Sequence, residues 1–181
     1  FLIPEVELQF NLEDTRTLVR SKLLIKRQAS NASALTLDCQ VLDVLSVTID
    51  GEILDRDSYS LAEESLVLPV DKGEFLLEIE SVVDPANNTS LEGLYKSSGV
   101  FCTQCEAEGF RKITPFLDRP DVLSVYTVTI LADKSKYPFL LSNGNDIDRG
   151  EIDEGDNSSH WVKWHDPHPK PSYLFALVAG D

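Results

Sequence analysis

The sequence is poor in several features that would otherwise direct its interpretation: it has no methionine, three cysteines and 16 basic residues against 31 acidic ones. The missing methionine, at the first position and elsewhere, leads us to expect a piece of a longer polypeptide. No apolar run approaches the roughly 20 residues of a membrane-spanning helix. A net charge of −15 disfavours nucleic acid as a partner, because binding to phosphates requires a surface rich in lysine and arginine.

A structural zinc site takes four Cys or His ligands, usually as two C-x-x-C-like pairs, and this sequence has only one such pair. Cys102 and Cys105 form a single C-x-x-C, and Cys39 lies far from them in the sequence. A redox C-x-x-C is expected at the start of a helix in a βαβ unit, a pattern that this sequence lacks. We therefore expect unpaired thiols in a reducing compartment and a cytoplasmic protein.

Alternation of apolar and polar residues dominates the sequence and predicts strands almost throughout. The clearest segments are 35–39, 45–49, 75–80 and 125–130, and Asp50-Gly51 is a two-residue hairpin signal. Short strands at intervals of about 8 to 12 residues predict an all-β fold in one domain over 1–181, an antiparallel sandwich or a large bent sheet. Only 106–112 lacks the alternation, and there we predict a short helix or turn.

Two neighbouring runs are the most distinctive part of the sequence: QCEAEGFR at 104–111 and PFLDRPD at 115–121. Further segments of the same kind are LEGLY at 91–95, KYPFLLSNGN at 136–145 and YLFALVAGD at 173–181. Together they resemble the N-terminal domain of bacterial aminopeptidase N, of the membrane alanyl aminopeptidase family of gluzincin zinc metallopeptidases. The resemblance covers the whole chain and is weaker before Leu91.

The resemblance implies a β domain, shaped like a saddle, that covers a catalytic domain of the same polypeptide. That catalytic domain carries one zinc ion on a His-Glu-x-x-His motif and a distant Glu, and it has a Gly-x-Met-Glu-Asn loop. Neither motif occurs in this sequence. We therefore expect zinc in the parent enzyme, none bound by this chain, and no hydrolytic activity of the chain alone. The expected partners are peptides with a free amino end and the catalytic domain, with no nucleic acid and no membrane.

In the resembling family, the Gln and the first Glu of the 104–111 run bind the α-amine and the backbone of the substrate's first residue. The resemblance places these roles on Gln104 and Glu106, and it places no catalytic residue and no metal ligand in this chain. Two residues apart on extended backbone, both side chains would leave on one face. A carboxylate pairs with an α-ammonium, and its desolvation is compensated only when that charge arrives.

Neighbouring residues of the same run have simpler interpretations. Glu106 itself could be an acidic residue at a helix N-terminus, favoured by the helix dipole. Glu108 would be turned away from Glu106 by helical geometry, and we expect it to belong to the scaffold. Arg111 and Asp118 are predicted to form a structural ion pair that ties the loop.

Three other clusters invite functional interpretations. His160, His165 and His168, with Asp166, could ligate a metal, although we expect His160 in a strand and His168 in a Pro-rich loop. The acidic stretch 146–156 lacks the glycine and glutamate positions of a calcium loop, so we expect a solvated hairpin tip. Trp161 and Trp164 could form a sugar platform, but aromatic residues of a β core are the simpler interpretation.

Two alternatives to an enzyme domain remain open at this point. One is a free-standing β-sandwich module that binds carbohydrate or a protein, and the other is a family member that lacks zinc ligands and acts as a scaffold. A coding sequence that continues into Met-Glu-Asn and His-Glu-x-x-His would support the enzyme, and zinc content with activity on aminoacyl-nitroanilides would exclude the scaffold. If a catalytic domain normally covers this chain, we also expect apolar surface around Gln104 and Glu106.

Overall fold

The computed structural model describes residues 1–28, 34–40, 42–154 and 157–181. These residues form fifteen strands and three short 3-10 helices, which confirms the predicted all-β class. The strands are β1 (Leu2–Asn11), β2 (Thr17–Lys26), β3 (Ala34–Asp38), β4 (Asp43–Ile49), β5 (Glu52–Ile53), β6 (Ser60–Leu61), β7 (Ser65–Pro69), β8 (Glu74–Val83), β9 (Gly93–Ser97), β10 (Val100–Gln104), β11 (Ser124–Asp133), β12 (Phe139–Ser142), β13 (Asn145–Glu154), β14 (Asn157–Lys170) and β15 (Leu177–Gly180). The 3-10 helices are Arg56–Ser58, Phe110–Lys112 and Ser172–Leu174.

The strands assemble into one large sheet and two small ones. The large sheet has the order β13-β14-β11-β1-β2-β8-β4-β5, a four-stranded sheet has the order β12-β15-β10-β9, and a three-stranded sheet has the order β3-β7-β6. All pairs in these sheets are antiparallel except β1 with β11, which are parallel. The parallel pair departs from the antiparallel prediction. It is possible because the long chain between the two strands supplies the crossover that parallel pairing needs.

The alternation in the sequence corresponds to burial on one face of each strand. In β11 the side chains of Tyr126, Val128 and Ile130 are buried, and the residues between them are partly exposed. In β8 the buried set includes Phe75 and Leu77. Successive side chains of a strand point to opposite faces, so one apolar set per strand suffices to cover the core.

Two turns that contain glycine differ in what they connect. Asp50 and Gly51 both have positive φ, 51° and 86°, and join β4 to β5 as the predicted hairpin. Asn143 and Gly144 instead lead the chain from β12 in the four-stranded sheet to β13 in the large sheet. A Cβ atom on Gly144 would lie 2.2 Å from the carbonyl oxygen of His165, so this corner has no room for a side chain.

Three local predictions need correction. The segment around Tyr173, predicted as strand, begins with a 3-10 helix, and β15 starts only at Leu177. Most of the acidic stretch 146–156 is strand β13 rather than a hairpin tip, and residues 155–156 lie outside the described part of the chain. His168 lies in strand β14 rather than in a loop, because Pro167 and Pro169 are accommodated in its extended backbone.

Aromatic side chains fill the space between the large sheet and the four-stranded sheet. The rings of Phe10 in β1 and Phe175 are stacked with centroids 6.0 Å apart, and Tyr126 in β11 lies 6.1 Å from Phe175. Trp164 of β14 donates from Nε1 to the carbonyl oxygen of Leu140 in β12 at 3.1 Å. These contacts fix the four-stranded sheet, and the loop at its end, on the large sheet. Within the described residues, no helix has the length and apolar character needed to span a membrane.

Candidate functional site

The loop that follows β10 carries both residues predicted to bind substrate. Gln104 ends β10, and a turn over 106–109 leads into the 3-10 helix Phe110–Lys112. The side chains of Gln104 and Glu106 are exposed, whereas Cys105 between them is only 2% exposed. Gln104 Nε2 donates to the carbonyl oxygen of Glu106 at 3.2 Å. The 104–109 loop therefore presents an amide and a carboxylate to solvent from positions two residues apart, with a thiol facing the core.

Buried side chains hold this loop at both ends. Burial raises the pKa of the Cys105 thiol, and the nearby Asp118 charge adds to this effect, so Cys105 is a protonated packing group. At the other end, the fully buried Phe110 ring lies 4.8 Å from the Phe116 ring and 5.3 Å from the Phe175 ring. Because both anchors are in the core, the loop between them has little freedom to move away from the sheet.

The backbone of the loop folds tightly on itself at Gly109. The amide of Gly109 donates to the carbonyl oxygen of Cys105 at 2.9 Å. A Cβ atom at this position would lie 2.4 Å from the Gln104 carbonyl oxygen and 3.0 Å from the amide nitrogen of Gly93. The φ and ψ of Gly109, −79° and −16°, are accessible to any residue, so the requirement for glycine here is steric.

The predicted ion pair between Arg111 and Asp118 is present and is part of a larger network. One carboxylate oxygen of Asp118, Oδ2, accepts from the Arg111 amide and from Arg111 Nε, both at 3.1 Å. Arg111 Nη2 donates to the Asp118 carbonyl oxygen at 3.0 Å. Burial opposes the guanidinium charge, but the hydrogen bond that Arg111 donates to Asp118 and the charges of the surrounding carboxylates raise the pKa of Arg111 above its ordinary value.

Two residues without a distinctive sequence pattern around them, Asp38 and Ser172, complete the network. Ser172 Oγ donates to Asp118 Oδ1 at 2.5 Å, and the Asp118 amide donates to Asp38 Oδ2 at 3.0 Å. These partners are 54 and 80 residues away from Asp118 in the sequence. No local pattern signals contacts at such separations. The Asp118 side chain, 1% exposed, thus connects the helix after the loop to the segment before β15.

Glu108 lies in the same loop as Glu106 but has a different environment. Its side chain is 70% exposed, and Glu108 Oε1 lies 3.4 Å from Arg111 Nη2. This contact to the anchored arginine agrees with the scaffold role expected for Glu108.

The outward face of the four-stranded sheet is apolar and ends at Gln104. Leu141 in β12 pairs with Val178 in β15, Val178 pairs with Cys102 in β10, and Cys102 pairs with Tyr95 in β9, so their side chains form one row across the sheet. Leu141 is 48% and Val178 41% exposed, and the nearby Phe139 is 61% exposed. We call this row, with Phe139, the outer apolar face. Since Gln104 follows Cys102 by two positions, it lies on the same side of β10.

His160 and His165 of β14, and Asp166 beside them, have partners within the domain. His160 Nε2 lies 2.7 Å from the Tyr137 carbonyl oxygen, His165 Nδ1 lies 3.0 Å from Thr127 Oγ1, and Asp166 pairs with Lys170. In the described part of the chain, no group of three or more His, Cys, Asp or Glu side chains could hold a metal ion. Trp164 packs against the core, as the simpler interpretation predicted for both tryptophans. The Trp161 indole instead lies against Gly150 of β13.

Comparison with known proteins gives the same family over nearly the whole chain. The family model described as peptidase M1 N-terminal domain matches residues 4–174. Aminopeptidase N of Haemophilus influenzae is 50% identical over 184 residues, which cover 100% of this chain and 21% of that protein. Aminopeptidase N of Escherichia coli is 47% identical over 181 residues, covering 100% and 20%. The chain thus spans about one fifth of the length of these curated relatives.

Solved structures share the fold. Legionella pneumophila aminopeptidase A, in complex with aspartic acid, superposes with a TM-score of 0.92 at 34% identity, over 99% of this chain and 21% of that chain. A zinc metallopeptidase of the M1 class from Deinococcus radiodurans, solved as a mutant bound to a Tyr-Ser-Ala substrate, superposes with a TM-score of 0.82, over 99% and 42%. At 15% identity, the second likeness concerns the fold alone.

Proposed function

Because the chain belongs to the peptidase M1 N-terminal domain family, we propose that it is the substrate-anchoring domain of a larger, cytoplasmic, zinc-dependent aminopeptidase. Such an enzyme removes residues from the amino ends of peptides. The proposal is supported by relatives that are named aminopeptidase N, match this chain from end to end and are about five times as long. The Legionella structure, 34% identical, holds aspartic acid, which supports substrates with a free amino end.

The work that we assign to this chain is binding rather than bond cleavage. The described residues do not fit a resident zinc site. We place the metal and the groups that cleave the peptide bond in the remainder of the polypeptide, as a partner domain that meets this one near the 104–109 loop. The chain by itself is then expected to have no peptidase activity.

Glu106 is proposed to recognise the positively charged α-amine of the substrate. An ammonium group and a carboxylate form a charge-assisted hydrogen bond, and an internal peptide nitrogen, which is neutral, cannot replace the ammonium. An amide both donates and accepts, so Gln104 can bind the backbone groups of the first substrate residue. Together these contacts would select the end of a peptide over its interior.

The observation that carries this proposal is the way the loop presents the two side chains. Gln104 and Glu106 are exposed and adjacent, and the backbone that bears them is held by the buried Cys105 and Phe110. When the substrate binds, only the Glu106 side chain has to be ordered and not the backbone that bears it, which reduces the entropic cost of binding.

Substitution of Glu106 tests the proposal. In an aminopeptidase that contains this chain, Glu106→Ala is expected to lose about 2–5 kcal/mol of transition-state binding, roughly 30-fold to more than 1,000-fold in kcat/KM, because the bound ammonium loses its partner. The matched control is Glu108→Ala, two residues away and 70% exposed, for which we expect less than about 3-fold. Unchanged kcat/KM on short peptides for Glu106→Ala would refute the anchoring role.

A further inference from the structure

We infer that Asp118 is a positioning residue for substrate recognition: its buried carboxylate sets the location of Glu106 through Arg111. The inference rests on the proposed function of Glu106. It adds a residue that does not face the substrate and whose side chain is only 1% exposed.

Asp118 contacts the backbone directly after the turn of the loop. Its Oδ2 atom accepts from the backbone amide of Arg111, and Arg111 lies in the 3-10 helix that directly follows the turn over 106–109. A hydrogen bond to a backbone amide fixes the main chain itself. The carboxylate therefore determines where the loop re-enters the body of the domain.

Asp118 also fixes the orientation of the Arg111 guanidinium. Asp118 Oδ2 accepts from Arg111 Nε, and the Asp118 carbonyl oxygen accepts from Nη2, so the planar group is held at two points. Held in this way, Arg111 Nη2 lies 3.4 Å from Glu108 Oε1. Because Glu108 is 70% exposed, this last contact adds little, and the effect of Asp118 passes to the loop through the backbone of Arg111.

Asp118 is itself held in place by residues that are distant from it in the sequence. Ser172 Oγ donates to its other oxygen at 2.5 Å, and the Asp118 amide donates to Asp38 Oδ2 at 3.0 Å. Asp38 is the last residue of β3, and Ser172 begins the 3-10 helix before β15. The position of the loop therefore depends on β3 and on the 3-10 helix before β15, in addition to its own buried flanks. A displacement of about 1 Å in a binding group can cost up to about 100-fold in rate, so small shifts of the loop are expected to affect substrate binding.

The test compares two inhibitors in an aminopeptidase that contains this chain. One is an amino-acid hydroxamate, which has a free α-amine, and the other is its deamino analogue. Inhibition constants do not depend on the fraction of active enzyme, so a simple loss of folded protein leaves both unchanged. Asp118→Ala is expected to weaken the amine-bearing inhibitor by about 10-fold and the deamino analogue by less than about 2-fold.

Conservative and control variants separate positioning from general damage. Asp118→Asn keeps an acceptor for the Arg111 donors and is expected to recover part of the loss. Should Asp118→Ala fail to fold, Asp118→Asn and Arg111→Lys, which loses the planar fork, provide the same comparison with smaller expected losses. The matched control is Asp133→Ala at the far end of β11. The Asp133 carboxylate likewise accepts from backbone amides and from a serine hydroxyl, Ser135 Oγ, but it is not connected to the loop.

A double substitution tests whether the effect passes through Glu106. If it does, Asp118→Ala adds no further selectivity loss in a Glu106→Ala background, because residues that act as a unit are not additive. Full additivity, or an unchanged ratio of the two inhibition constants in the Asp118 variants, would overturn the inference while leaving Glu106 as the anchor. An unchanged ratio in Glu106→Ala alone would instead count against the proposed function.

Discussion

At the scale of single residues, the 104–109 loop shows how a short motif combines exposed and buried positions. The side chains of Gln104 and Glu106 are available to a ligand because the loop is anchored in the core by other residues, Cys105 and Phe110. Gly109 allows the loop to close, since the Gln104 carbonyl oxygen occupies the space where a Cβ atom would be. Each position of the motif therefore has its own physical requirement, and only two of them concern binding.

The steric requirement at position 109 gives a stability prediction. Gly109→Ala is expected to lower the free energy of unfolding by about 1–3 kcal/mol, because the new methyl group overlaps backbone atoms that cannot rotate away. Urea denaturation of both proteins measures the difference. Gly73→Ala is the matched control, since a Cβ atom there meets nothing within 4 Å. An equal and small effect at both positions would contradict the steric account.

At the scale of structural elements, a polar contact joins the β1–β2 connection to the four-stranded sheet. Lys96 Nζ in β9 donates to Asp14 Oδ1 at 2.7 Å, and the hydroxyl of Tyr137 donates to the same oxygen at 3.0 Å. The Lys96 hydrogen bond lowers the pKa of Asp14 below its ordinary value of 3.8, although burial acts in the opposite direction. This contact holds β9, the neighbour of β10, against the large sheet.

A pH dependence follows from the direction of this shift. Because the folded-state pKa of Asp14 is depressed, the contact stabilises the fold above the ordinary pKa and is lost as the pH falls through the folded-state value. Asp14→Asn is expected to be less stable than the original chain at neutral pH, by at most about 1 kcal/mol since Asp14 is 58% exposed. Denaturation in urea at several pH values should show the two proteins converging in acid; a constant gap down to pH 2 would contradict the assignment.

At the scale of the whole molecule, the outer apolar face is continuous with the proposed binding site. Phe139, Leu141 and Val178 are exposed on the side of the sheet from which Gln104 projects. A row of exposed apolar side chains beside a binding residue is typical of a surface that another domain covers. We therefore expect the remainder of the proposed aminopeptidase to pack on this face and to bring its own groups toward the 104–109 loop.

A charge placed on this face tests that arrangement. In the longer polypeptide, Val178→Asp is expected to lower the midpoint of thermal unfolding by several degrees, because a covered carboxylate without a partner is costly. Leu45→Asp in β4 of the large sheet is the control, as Leu45 is 46% and Val178 41% exposed in this structure. Calorimetry that shows the same small shift for both variants would mean that the face is not covered.

Much of this architecture could be predicted from local patterns. Alternation located the buried sets of β8 and β11, the Asp50-Gly51 pair marked a hairpin, and the break in alternation after position 105 located the loop. Such features depend on neighbours in the sequence, whose spacing and conformational preferences are encoded directly. The family resemblance then supplied the candidate roles of Gln104 and Glu106, which alternation alone does not distinguish from those of other exposed polar residues.

What the sequence by itself determined, then, is the set of strands, their buried faces and the motif that identifies the family. The tertiary structure decided the parallel pairing of β1 with β11, the partners of Asp118 and the exposure of Phe139, Leu141 and Val178. Each of these depends on segments that are tens to more than a hundred residues apart in the sequence. Pairings at such distances are selected by how whole sheets pack together, and no short stretch of residues encodes them.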